Sequence, residues 1–151
     1  MKLDVDVQYA TNASHVPDEQ AFTQWVTQAL QGHREVAELT IRIVDAKESA
    51  SLNEHYRHKH GATNVLSFPF QSPEEVQLDL LGDIVICAEV VEKEALEQDK
   101  SFDAHWAHLT IHGVLHLLGY DHITSSEASE MESFEIQVLQ QLGYENPYEL
   151  Q

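Results

Sequence analysis

Five of the ten histidines in this 151-residue chain, His105, His108, His112, His116 and His122, fall within one short stretch. Its most informative part reads His112-Gly-Val-Leu-His116-Leu-Leu-Gly119-Tyr-Asp-His122. On a helix, residues four apart sit about 40° apart around the axis and about 6 Å along it. That arrangement lets the imidazoles of His112 and His116 chelate a single zinc ion. Gly119 comes one turn later, where a left-handed residue can end a helix and let the chain swing back to deliver His122 as a third ligand. Three protein ligands leave a fourth position for water, the mark of a catalytic rather than a structural zinc site. Histidine pairs at this spacing also occur by chance in ordinary cores. Here Val114, Leu115, Leu117 and Leu118 surround the pair, and buried imidazoles lacking metal or other partners would be costly.

The stripe continues to His108 and His105, but eight residues of helix span about 12 Å, too far for one tetrahedral ion to bridge His108 and His116. His108 is therefore read as lying beside the ligands or lining the pocket, and His105 as a surface residue. The spacing resembles that of metzincin metalloproteases, glycine included. Those enzymes carry a glutamate directly after the first histidine as general base, whereas this chain has Gly113. A peptidase lacking that base would be severely impaired in protonating an amine leaving group. Met131 recurs at helical spacing with Phe134, Val138 and Leu142, which makes it a core residue rather than the methionine of that family's turn.

The elements that must hold these residues follow from periodicity. Leu3, Val5, Val7 and Tyr9 alternate as a half-buried strand does, and Leu39, Ile41 and Ile43 alternate as a second. Between them, Pro17 and Asp18 open a helix carrying Phe22, Trp25, Val26, Ala29 and Leu30, ending near Gly32. A second helix is expected from Glu48 to His58, stopped by Gly61. Val65–Phe70 reads as a strand that Pro69 confines to an edge, and Leu80–Cys87 as one buried on both faces. Gln71–Asp79, acidic and carrying Pro73, reads as an exposed loop. Three more helices are expected over about Ala88–Gln98, Ser101–Leu118 and Ser125–Leu142. No linker, repeat or low-complexity tract is visible, so one domain over residues 1–151 is expected. It should be an α+β domain with a small mixed sheet of about four strands, about five helices and a zincin-like metal-site helix.

Composition bounds the function. At 42% hydrophobic and 23% charged the chain is ordinary for a globular protein. No apolar run approaches the roughly 20 residues of a bilayer span, and MKLDVDVQYA lacks the apolar core of a signal peptide. Cys87 stands alone, which excludes an intrachain disulfide and makes the cytoplasm the expected compartment. Eight Lys and Arg against 26 Asp and Glu give a formal charge of -18, a field that repels phosphate backbones at long range. Arg57, His58, Lys59 and His60 form one dense basic cluster.

Four motifs in order carry a family resemblance: Leu52-Asn-x-x-Tyr56-Arg57, Thr63-Asn-Val-Leu-Ser-Phe-Pro69, Leu81-Gly-Asp-Ile84, and the histidine motif ending at His122. Together they resemble the YbeY family of bacterial endoribonucleases, which act in ribosomal RNA maturation; the last motif is the most specific. The chain departs at His60 and Ala62, where relatives often carry an acidic residue and proline. The resemblance implies a metal-dependent endoribonuclease acting on single-stranded RNA. It also implies one zinc ion per chain on His112, His116 and His122, and a functional arginine at Arg57. The implied partners are ribosomal RNA or its precursors within ribosomal particles, with ribosomal proteins or assembly factors, and no membrane. Under this reading Arg57 stabilises charge at the phosphoryl group beside the metal, and Asp121 either orients a ligand imidazole or a water or is simply an exposed turn residue. Two alternatives stand beside it: a zinc metallopeptidase-like hydrolase, and a ribosome-assembly protein with a structural zinc.

An acidic surface with one basic cluster should bind naked RNA weakly. The expected result is poor affinity at physiological salt and a shallow dependence of log affinity on log salt, because few phosphates are contacted. A titration of RNA across salt concentrations checks this; tight binding with a steep slope would refute it.

Overall fold

The computed structural model describes residues 2–70, 79–121 and 123–148. Among them run β1 (Lys2–Ala10), α1 (Glu19–Leu30), β2 (Val36–Val44), α2 (Ala46–Arg57), β3 (Val65–Pro69), β4 (Leu80–Cys87), α3 (Ala88–Glu97), α4 (Phe102–Leu117) and α5 (Ser125–Gln141). The loop expected over Gln71–Asp79 lies, save for Asp79, outside the described residues. The strands form one mixed sheet in the order β1-β2-β4-β3. The pairs β1–β2 and β2–β4 are parallel, whereas β3 pairs antiparallel to β4 and ends the sheet at Pro69. That is the edge position a residue without an N–H tolerates. The architecture is α+β, as the periodicity implies.

Helix starts follow local chemistry. Asp18 Oδ1 accepts from Ala21 N–H at 2.8 Å, Ser101 Oγ from Ala104 N–H at 3.1 Å, and Thr124 Oγ1 from Glu127 N–H at 3.1 Å. Each satisfies a donor that the first helical turn leaves without a partner. Helix α2 ends at Arg57 with His58 as its cap, within a residue of the expected end, but the left-handed residue that stops it is His58 itself, at φ 56°, rather than Gly61. On α2 itself, the buried Ser49 and Asn53 hold the following loop. Ser49 Oγ donates to Thr63 O at 2.9 Å and accepts from Thr63 N–H at 3.0 Å, and Asn53 Nδ2 donates to Gly61 O at 2.9 Å. Those bonds hold the chain that follows the cap, at Gly61 and Thr63, back against α2.

The sheet is covered on both faces. On one, Ile41, Ile43, Ile84 and Ile86 join Phe22, Trp106, Ile111, Val114 and Leu115 in the main core; on the other, Val44, Leu66, Val85 and Cys87 form a smaller layer with Leu52 of α2. Full burial of each such isoleucine contributes about 1.5–3 kcal/mol. Helix α4 is central, touching α1, α3, α5, β3 and β4. It approaches β4 so closely that a Cβ built on Gly113 would lie 2.9 Å from Ile84 Cγ2.

The burial of α4 corrects a second expectation. His105 is not a surface residue; it is 3% exposed. Its Nε2–H donates to Glu94 Oε1 at 2.9 Å, and Asn64 Nδ2 donates to the same oxygen at 3.1 Å. Burial pushes its imidazole below the ordinary histidine value, against the upward pull of Glu94. Below the unfolded value near 6.5, the unfolded chain binds a proton that the folded chain resists, so this residue makes stability fall as pH falls. His105→Gln should flatten the slope of unfolding free energy of metal-free protein between pH 6.5 and 5.5, by at most about 1.4 kcal/mol per pH unit. Denaturant melts across that range measure it, and identical slopes for parent and variant would contradict this origin.

Candidate metal centre

Helix α4 ends in a two-bond left-handed cap. Gly119, at φ 105°, donates its N–H to His116 O at 3.0 Å, and Tyr120 N–H reaches Leu115 O at 3.0 Å. The reversal expected at Gly119 is therefore present. His122, the expected third ligand, lies outside the described residues. On the last turns, the Nε2 atoms of His112 and His116 face each other at 3.1 Å. Two ring nitrogens at that distance need a proton or a cation between them. Nitrogens sharing one tetrahedral zinc, each about 2.0–2.1 Å from it, sit roughly 3.3–3.4 Å apart, so the pair suits such an ion with little adjustment. Among the described residues, no group of three or more His, Cys, Asp or Glu side chains is placed to hold a metal. The described part of the candidate site is thus the histidine pair.

One partner of this pair went unseen in the sequence. Glu135 of α5 is fully buried, and its Oε1 accepts from His112 Nδ1–H at 2.6 Å. Burial raises a carboxyl's pKa, but hydrogen bonds from His108 and His112 and their charge outweigh that and hold Glu135 at about 2. With Nδ1 carrying the proton, a neutral His112 has its lone pair on Nε2, facing His116. A carboxylate behind a ligand imidazole is the usual means of fixing ring orientation and raising basicity at metal sites. A signal existed: Glu135 lies four residues after Met131 and three before Val138, a charge on the apolar stripe of α5. His108 sits beside the pair, its Nε2 3.4 Å from Glu135 Oε1 and 3.2 Å from the Tyr148 hydroxyl.

His112 and His116 form one wall of a cleft of about 880 Å³, whose other walls include Arg57, Tyr56, Asn64–Pro69 and Asp121. Arg57 reaches it as the last residue of α2, fixed there by the Ser49 and Asn53 bonds to the following loop. His58, Lys59 and His60, the rest of the basic cluster, are exposed and are not part of the cleft wall. Tyr56 is exposed, with its ring edge-on to Phe68 at 5.1 Å. Gly113, where a metzincin has its glutamate, faces Ile84 rather than the cleft, and its carbonyl accepts from Ser67 Oγ at 3.3 Å.

A mixed α+β sheet carrying a histidine pair on a buried helix defines the architectural class. The family model described as Endoribonuclease YbeY matches residues 6–143, and the chain belongs to that family, whose members are endoribonucleases of ribosomal RNA processing. Its fold is also similar to the solution structure of TM1509 from Thermotoga maritima, with a TM-score of 0.59 and 20% identity. That match covers 97% of this chain and 99% of the other.

If the histidine pair holds the ion, metal analysis after zinc loading and dialysis should give about one zinc per parent chain and little in His116→Ala. Full stoichiometry in that variant would remove the pair from the site.

Proposed function

We propose that this chain is a zinc-dependent endoribonuclease that cuts single-stranded segments of ribosomal RNA precursors during ribosome maturation and quality control. It works in the cytoplasm as one domain, alongside ribosomal proteins or assembly factors, with His112, His116 and His122 as ligands and Arg57 as the catalytic cation. The observation that carries this reading is the shared cleft: a guanidinium and two metal-ready imidazoles lie in its walls, although they come from opposite faces of the sheet.

Bound zinc would supply Lewis-acid polarisation of a phosphoryl oxygen. The rest falls to the chain. Arg57 offers a planar fork to two phosphate oxygens, where charge grows as the phosphorus is attacked. His112 keeps its Nε2 lone pair aimed inward because Glu135 holds the Nδ1 proton. Asp121, in the cleft wall, supplies a carboxylate to orient the nucleophile, a water or the RNA's own 2′-hydroxyl. The -18 charge leaves targeting to contacts in the ribosomal particle rather than to attraction at a distance. The peptidase reading loses support at Gly113, where a glutamate would drive into Ile84. An open cleft of this size beside the ligands favours a working site over a closed structural one.

Arg57 separates this reading from a bland one. A cation that only favours the C-terminus of α2 would cost a few tenths of a kcal/mol on removal and be replaceable by lysine. In the active role, Arg57→Ala should keep parental stability and zinc content while cleavage of precursor RNA falls by roughly two to three orders of magnitude. Arg57→Lys should recover part of the loss at most, because a compact ammonium cannot form the fork. Cleavage and zinc content are measured on the same folded samples. An alanine variant cutting at the parental rate would remove Arg57 from the chemistry.

A further inference from the structure

The buried carboxylate behind His112 is itself held, and what holds it comes from the far end of the described chain. Helix α5 closes with Gly143 at φ 94° and Tyr144 N–H bonded to Leu139 O at 2.9 Å, a cap of the same kind as that on α4. The chain then turns again. Asn146 Oδ1 accepts from Tyr148 N–H at 2.8 Å, and Lys100 Nζ donates to Pro147 O at 3.2 Å, tying the segment to the start of α4. This double reversal lays the Tyr148 ring edge-on to His108, with centroids 5.3 Å apart, and sends its hydroxyl inward to Glu135 Oε2 at 2.5 Å.

We infer that Glu135 and Tyr148 are positioning residues of the metal centre: Tyr148 fixes Glu135, Glu135 fixes the ring of His112, and docking of the segment 143–148 sets how tightly the pair holds its ion. The inference rests on the reading of His112 and His116 as ligands. Its logic is that of a carboxylate with two oxygens and three neighbouring donors. Tyr148 occupies Oε2, which leaves Oε1 turned to His112 at 2.6 Å, with the longer approach of His108 at 3.4 Å in second place. Without the Tyr148 hydroxyl, Oε2 sits buried without this donor, and the carboxylate can rotate to take up His108. His112 is then no longer held in one orientation, with its proton on Nδ1 and its lone pair on Nε2. Burial, the hydrogen bond to Glu135 and its charge all hold the Tyr148 phenol above the usual tyrosine range, which favours the donor form.

The test uses the full chain and the metal alone. Zinc affinity is measured by competition with a chromophoric chelator for the parent, Tyr148→Phe, Glu135→Gln and His116→Ala. Long-range proton–nitrogen spectra of the metal-free chain report the tautomer of His112. Tyr148→Phe keeps the ring on His108 and removes only the hydroxyl. The expectation is a loss of zinc affinity of about tenfold for Tyr148→Phe and up to about a hundredfold for Glu135→Gln, the range seen when partners of metal ligands are removed. His112 should hold its proton on Nδ1 in the parent and show a mixture of tautomers in Tyr148→Phe. Should Glu135→Gln fail to fold, Tyr148→Phe alone decides. A purely structural role would lower the melting temperature of the metal-free chain yet leave affinity and tautomer as in the parent; that result overturns the inference while the ligand reading stands. If His116→Ala binds zinc as the parent does, the ion lies elsewhere, and the ligand reading and this inference fall together.

Discussion

A helix buried along most of its length carries imidazoles most readily if each ring finds a partner for at least one nitrogen, and the surroundings of α4 supply those partners. Along one stripe, His105 turns to Glu94, His108 to Tyr148 and Glu135, and His112 to Glu135 and His116. Each carboxylate comes from a different helix packed on α4, so α3 and α5 do more than cover apolar surface. They bring acceptors to defined heights along the same helix. Glu135 could not be buried as an ion without donors, and the imidazoles could not be aligned without acceptors.

The close contact between α4 and β4 has a chemical side. Gly113 lets the helix lie directly on Ile84, which sets the depth at which His112 and His116 stand relative to β3 and so fixes one wall of the cleft. The same contact removes the position that would carry a protein base in a metzincin-like site. Packing and chemistry are settled by one missing side chain.

The periodic parts of this arrangement were legible in the sequence. Alternation located the strands, and Pro17 and Asp18 marked the start of α1. The four-residue step from His112 to His116 gave the facing nitrogens. Legibility failed where a residue's role depended on a neighbour distant in the chain. His105 was read as exposed because its partner Glu94 lies on another helix. Glu135 broke the apolar stripe of α5 without its meaning being visible, since its donors come from α4 and from beyond α5. The end of α2 near His58 was legible, but that His58 itself takes the left-handed cap, with Ser49 and Asn53 holding the loop beyond, was not. Tyr148 belongs to a segment with no periodicity, where position comes from two turns and a lysine contact.

The two halves of the cleft also belong to bodies of unequal strength. The histidine pair stands on the helix at the centre of the large core. Arg57 ends α2, whose layer on the other face of the sheet gathers around four buried side chains, Val44, Leu66, Val85 and Cys87. With fewer buried apolar side chains, the smaller layer should open at lower free energy than the larger one. Amide protons of α2 should therefore exchange with solvent through a partial opening that leaves those of α4 protected. An opening of that thinner layer on warming would take the guanidinium away from the imidazoles, and the working temperature range of such a site would then be bounded by it rather than by the core.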